Sequence, residues 1–155
     1  MTLLTPEMGR AARIEYVAGQ LLPRTASLTR LLRRDIRGEL SGSEPGVLNT
    51  LRDGPRRITE LAELEGVAQP TMTLLVKRLE RRGLVTRGRQ PGDGRVVVVS
   101  LTEAGAVAFD ELRDRAGAVL GSYLAEMPEE QIAALAAATE TLAELVALIQ
   151  NGRGT

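Results

Sequence analysis

Along this chain apolar residues recur mostly at helical spacing, with a single stretch that alternates like a strand. Between residues 11 and 22, Ile14, Val17, Ala18, Leu21 and Leu22 fall three or four positions apart, the mark of a helix with one apolar side. Leu28, Leu31, Leu32 and Ile36 continue the pattern, with Arg30, Arg33, Arg34 and Arg37 mostly off the stripe. Pro23 lacks an N–H and crowds the preceding turn, so residues 9–39 read either as one kinked helix or as two abutting ones. A turn follows at residues 40–43, with Ser41 or Ser43 as helix cap. A short helix then reaches about Leu51, with Pro45 in its first turn and Val47, Leu48 and Leu51 inward. Asp53, Gly54 and Pro55 end it.

The segment from 58 to 85 predicts two helices joined by a tight corner. Thr59 is the expected cap of the first helix, and Gly66 closes it in the left-handed conformation. Pro70 sits in the first turn of the second, which runs to Gly83 with Met72, Leu75, Val76 and Leu79 as its buried stripe. Ala62 is small enough for a close crossing, and Leu61, Val67, Met72 and Leu75 pack the pair together. Residues 84–89 and 95–101 are strand candidates, the second carrying four consecutive valines. Gln90-Pro91-Gly92-Asp93-Gly94 between them is a strong turn signal, which makes the pair a hairpin.

Thr102 is the expected cap of a long helix to Met127, with Val107, Leu112, Ala116, Val119, Leu120, Tyr123 and Leu124 toward one side. Pro128 opens the last helix, where Glu129 and Glu130 suit the positive end of the dipole. Ile132, Leu135, Thr139, Leu142, Val146 and Ile149 then form a seam with the alternating spacing of a coiled coil. The fold class is mainly α with a small β-hairpin wing. Residues 1–39 form an N-terminal helical segment, 40–102 a winged helix-turn-helix, and 103–155 the long C-terminal helices.

Charge sharpens this picture. The 155 residues carry 20 basic and 20 acidic side chains, a formal net of zero. Residues 50–102 hold ten Lys/Arg against six Asp/Glu, a net of +4, whereas residues 103–155 hold three against nine, a net of −6. A basic middle and an acidic tail mark an interaction surface. There is no Cys and no His. That removes disulfides, thiol sensing, the usual zinc sites, and catalytic plans built on imidazole or thiolate. No apolar run is expected to approach the ~18 residues of a membrane span, and no signal peptide is read at the N-terminus. The expected location is cytoplasmic.

The exposed side of the second corner helix carries the chemistry. Gln69, Pro70, Thr71, Thr73 and Leu74 lie at its N-terminal end, where base edges are reached. Lys77, Arg78, Arg81 and Arg82 follow. From 77 to 89 there are six basic residues and one acidic one, Glu80, which suits phosphate contacts better than an ordinary solvated face. Arg87, Arg89 and Arg95 belong to the hairpin, with Arg95 near its tip. Arginine inserts into narrow minor grooves, and Asp93 stands close enough to hold the Arg95 rotamer. The plain alternative for that pair is a surface salt bridge of little worth. Leu74 is off the buried stripe, and two readings stand: contact with a thymine methyl, or packing against a neighbouring helix.

The order of elements, the string ITELAELEGVAQPTMTLLVKRLERRGLV and the string DGRVVVVSLTEAG resemble the MarR family of winged-helix bacterial transcriptional regulators. The likeness covers roughly residues 28–127. Its wing motif falls on Asp93, Arg95, Leu101, Thr102 and Gly105. The resemblance implies a homodimer with interlocked terminal helices, a palindromic operator in double-stranded DNA, and release by a small-molecule effector. The absence of Cys excludes the thiol-oxidation switch of one branch, and the absence of His counts against the metal-sensing branch. Dimerisation also follows from the residues, because the stripe at 14–22, with Ile14, Val17 and Leu21, and the seam at 132–149, with Ile132, Leu135, Leu142, Val146 and Ile149, exceed what one small winged domain covers; Leu120 and Leu124 are assigned to the same interface. Burial of those stripes within the same chain is the competing account.

Three functions are weighed. The first is a dimeric, sequence-specific DNA-binding regulator, a ligand-responsive repressor with recognition helices about 34–36 Å apart. The second is a winged-helix protein-interaction module without specific DNA binding, against which the basic bias argues. The third, an enzyme, has neither a phosphate loop nor a metal set nor a nucleophile–base pair to support it. No metal or cofactor is expected. Arg30, Arg34 and Tyr16 are candidates for an effector cleft, with exposure or plain packing the ordinary fate of each.

Overall fold

The computed structural model describes residues 9–36, 40, 42–90 and 93–152. The elements run α1 (Arg10–Asp35), α2 (Glu44–Arg52), α3 (Ile58–Leu64), α4 (Gln69–Arg81), β1 (Val85–Gln90), β2 (Asp93–Leu101), α5 (Glu103–Leu124) and α6 (Glu129–Gly152). Two compact units divide the chain, Met1–Ala116 and Gly117–Thr155, and α5 runs through the division.

In the first unit, α2, α3, α4 and the hairpin enclose one aliphatic core. Val47, Leu48, Leu61, Met72, Val76, Leu79 and Val99 are fully buried, and Ile58, Val67, Leu101, Phe109 and Leu112 pack around them. The stripes read from periodicity on α2 and α4 are the sides that face this core. Pro23 lies inside a continuous α1 rather than between two helices. None of α1 is buried, and Ile14 and Val17 are about half exposed.

Both corner helices end in the same way. After α3, Gly66 (φ +65°) lets the Val67 N–H reach the Ala62 carbonyl at 3.0 Å and its own N–H reach Glu63 at 3.3 Å. After α4, Gly83 (φ +71°) repeats this, with Leu84 N–H to Leu79 O at 3.0 Å and its own N–H to Glu80 O at 2.9 Å. These are Schellman closures, which a residue with a Cβ enters only at a cost. The start of α3 differs from expectation. Its cap position is Arg57, and Thr59 is already helical. The Glu60 carboxylate accepts the Arg57 N–H at 2.7 Å, one half of a capping box, so the helix begins two residues earlier. Ser43 holds the cap position of α2 without a side-chain hydrogen bond, and Ser41 lies outside the described residues.

β1 and β2 pair antiparallel from Val85↔Leu101 to Arg89↔Val97, then jump to Gln90↔Asp93. Residues 94–96 therefore form a bulge, and strand pairing extends further toward the tip than the expected turn at 90–94 allows. Pro91 and Gly92 lie outside the described residues. Arg56 bridges β2 on its other side, exchanging hydrogen bonds with Val99 at 3.0 and 2.8 Å.

Thr102 does cap α5. Its Oγ1 accepts the Gly105 N–H at 3.0 Å and donates to the Gly83 carbonyl at 2.7 Å, while its N–H reaches Leu84 O at 3.2 Å. Gly105 must be glycine here, because a Cβ would overlap the Leu84 carbonyl oxygen. The inward side of α5 in this unit is Gly105, Ala108, Phe109 and Leu112 rather than Val107, which is exposed. Arg52 ties α2 to this helix, pairing with Asp110 and lying 5.6 Å above the Phe109 ring.

In the second unit, Ala116 having closed the first, Val119, Leu120 and Leu124 of α5 are half-buried and Tyr123 is exposed. On α6, Ile132 and Leu142 are half-buried, whereas Leu135, Val146 and Ile149 are largely exposed. By length and composition α6 could cross a membrane, which corrects the expectation that no segment approaches a span. The expectation missed it because alanines raise the hydropathy while Glu140 and Glu144 interrupt any unbroken apolar run.

Candidate nucleic-acid interface

Helix α4 has two sharply different sides. Met72, Leu75, Val76 and Leu79 are buried in the core. On the opposite side, Pro70, Leu74, Lys77 and Arg81 follow one another in steps of four, three and four, so they form one outward line. Thr71 and Arg78 flank that line on one side and Thr73 on the other. All of these except Thr73 are exposed, as is Gln69 at the first helical position. Thr73 is half-buried and donates its hydroxyl to the Gln69 carbonyl at 2.9 Å.

The four expected phosphate-holding cations separate into two kinds. Lys77 and Arg81 are exposed, and Arg81 Nε donates to the Lys77 carbonyl at 3.4 Å. Arg78 and Arg82 instead share Glu44, with Arg78 Nε donating to Oε1 at 2.7 Å and Arg82 Nη1 to Oε2 at 3.3 Å. Glu44 is 1% exposed and is the first residue of α2, where the helix dipole also favours a carboxylate. Arg78 keeps half of its side chain in solvent, whereas Arg82 keeps 28%. Glu44 escaped the sequence reading. A signal was present: it lies three and four residues before Val47 and Leu48 and seven before Leu51, on the inward stripe.

The hairpin also divides its arginines. Arg87 turns back toward α4, its Nε 3.2 Å from Glu80 Oε2, and its Nε and Nη2 have no hydrogen-bond partner among the described residues. Arg89 is exposed. Asp93 and Arg95 belong to β2, but their side chains, and with them the expected pairing, lie outside the described residues. Glu80, the one acidic residue of α4, is occupied by Arg87, which leaves the outward line free of carboxylate. Among the described residues no group of three or more acidic side chains could hold a metal ion.

A helix corner whose second helix is cationic outside and apolar inside, followed by a hairpin, defines a winged helix-turn-helix protein. The MarR family profile matches residues 47–97. The chain is 32% identical over 110 residues to the HTH-type transcriptional repressor MdtR of Bacillus subtilis, covering 68% of this chain and 71% of that one. Its fold matches the YusO protein of Bacillus subtilis with a TM-score of 0.64 at 25% identity, over 88% of this chain and 99% of that one. It also matches a MarR family protein from Bacillus stearothermophilus with a TM-score of 0.70 at 24% identity, over 90% and 99%. The chain belongs to the MarR family. It is a DNA-binding transcriptional regulator and not an enzyme.

Proposed function

We propose that this protein is a homodimeric, sequence-specific repressor that binds a palindromic operator and is released by a small-molecule effector. The observation that carries the reading is the outward side of α4, where Lys77, Arg78 and Arg81 stand while the helix's one carboxylate, Glu80, is paired with Arg87. In this reading Gln69, Pro70, Thr71, Thr73 and Leu74 face base edges. Lys77, Arg78 and Arg81 meet phosphates, with Arg82 bracing the helix behind them. Arg89 and Arg95 serve the wing, Asp93 orients Arg95, and Arg87 anchors the wing to α4.

The exposed apolar residues of the terminal helices support the dimer. Ile14 and Val17 on α1, with Leu135, Val146 and Ile149 on α6, remain at least 46% exposed in a single chain. Leu21, Leu120, Leu124, Ile132 and Leu142 are half-buried and join them in the proposed interface. Such surface calls for a partner of the same kind, and a two-fold pair places two α4 helices on successive major-groove turns. An effector acts by binding one spacing of those helices more tightly than the other. A regulator of this kind works beside the chromosome, in the cytoplasm.

The test is selection of bound fragments from genomic DNA with purified protein, followed by titration of the recovered duplex at several salt concentrations. The expected outcome is a palindromic site whose affinity falls roughly a thousandfold from about 50 to about 200 mM salt, as for six or more phosphate contacts. Failure to enrich any duplex, or affinity indifferent to salt, would refute the reading.

A further inference from the structure

Leu74 is 69% exposed and sits on the outward line of α4 between Pro70 and Lys77, opposite the buried stripe. An isolated exposed leucine needs no explanation on most surfaces. Its surroundings make this one informative. Lys77, Arg78 and Arg81 lie within two turns of it and attract a polyanion, so the surface that comes to cover Leu74 is one that is charged at its edges. At this exposure Leu74 is not packed against a neighbouring helix of its own chain, which leaves it available to a surface from outside.

A helix in the major groove sets its N-terminal half against base edges and its flanks against phosphates. Besides donors and acceptors, the base pairs display one apolar group there, the C5 methyl of thymine. The polar readers around Leu74 are few. Thr73 donates its hydroxyl to the Gln69 carbonyl, Thr71 offers a single hydroxyl, and of these three Gln69 can grip a base with two hydrogen bonds. Leucine has nothing to offer the acceptors of guanine, and burying them against it leaves them unpaired. Resting on the DNA-binding reading above, we infer that Leu74 is a specificity-determining residue that packs against the C5 methyl of one thymine in each operator half-site.

The experiment replaces each thymine of the selected duplex in turn by deoxyuridine, which removes the methyl and keeps every hydrogen bond of the base pair. Affinities are then measured for the wild-type protein and for L74A at one salt concentration. One thymine per half-site is expected to lose about fourfold on replacement, the worth of one buried methyl group, and about fifteenfold when both half-sites are changed. In L74A the same replacements should change affinity less than about twofold. The exposed position keeps L74A folded, checked by circular dichroism and elution volume. If the wild type tolerates every replacement, or the penalty persists in L74A, the inference falls while the regulator reading stands. If no duplex is selected at all, both fall together.

Discussion

Arg78 Nε on α4 donates to Glu44 Oε1 at 2.7 Å, and Glu44 is all but removed from solvent. A carboxylate buried to that degree is stable only while its cations stay in place. The first residue of α2 therefore holds α4 by its outer flank, while the aliphatic core holds it from within.

Replacing Glu44 tests that arrangement. Glu44→Ala takes the shared carboxylate from two guanidinium groups and removes an acid from a helix N-terminus. Both arginines can turn toward water, so the expected cost is about 2–3 kcal/mol, read from the urea midpoint. Glu44→Gln keeps the shape and one acceptor, and should fall between the two.

Arg81 and Arg82 are neighbours in sequence with different expected roles. Arg81→Ala should leave stability unchanged within about 0.5 kcal/mol, weaken all duplexes alike, and lower the salt slope by about one for each bound chain. Arg82→Ala should do the reverse, costing about 1–2 kcal/mol of stability with a slope altered by less than about one. Matched unfolding and DNA titrations separate them, and equal behaviour would undo the division.

Two glycines are required for unrelated reasons. A Cβ at Gly105 meets the Leu84 backbone oxygen, which cannot move without opening the junction, so Gly105→Ala should cost about 3 kcal/mol or roughly 10 °C of thermal midpoint. At Gly66 a Cβ meets nothing within 4 Å, and only the positive φ opposes it. Gly66→Ala should therefore cost about 1 kcal/mol, and Gly66→Asn less.

Thr102 donates one hydrogen bond and accepts another through a single oxygen. Thr102→Val preserves its shape and loses both, for an expected cost of about 2 kcal/mol. Thr102→Ser should recover most of it. Thermal unfolding of the three proteins decides the matter.

Much of this architecture was legible because it rests on local rules. The inward side of α4 is periodic, Gly66 and Gly83 stand where helices must reverse handedness, and Thr102 precedes the helix it caps. Relationships across long stretches of chain were hidden. Glu44 meets Arg78 and Arg82 from 34 and 38 residues away, so the sequence presents three separate charges and only packing joins them. Arg87 reads as a wing cation until its partner Glu80 is seen beside it. Thr59 looked like the cap because threonine favours that place, but Glu60 reaching back to Arg57 started the helix earlier.

The hydrogen bonds that gather Leu79, Gly83, Leu84, Thr102 and Gly105 have a mechanical consequence. They weld the exit of α4, both roots of the hairpin and the start of α5 into one joint. A torque on the first turn of α5 would then swing α4 and the hairpin together, as a key turns with its handle. Under the proposed reading, an effector that loosens one grip on the duplex would loosen the other with it.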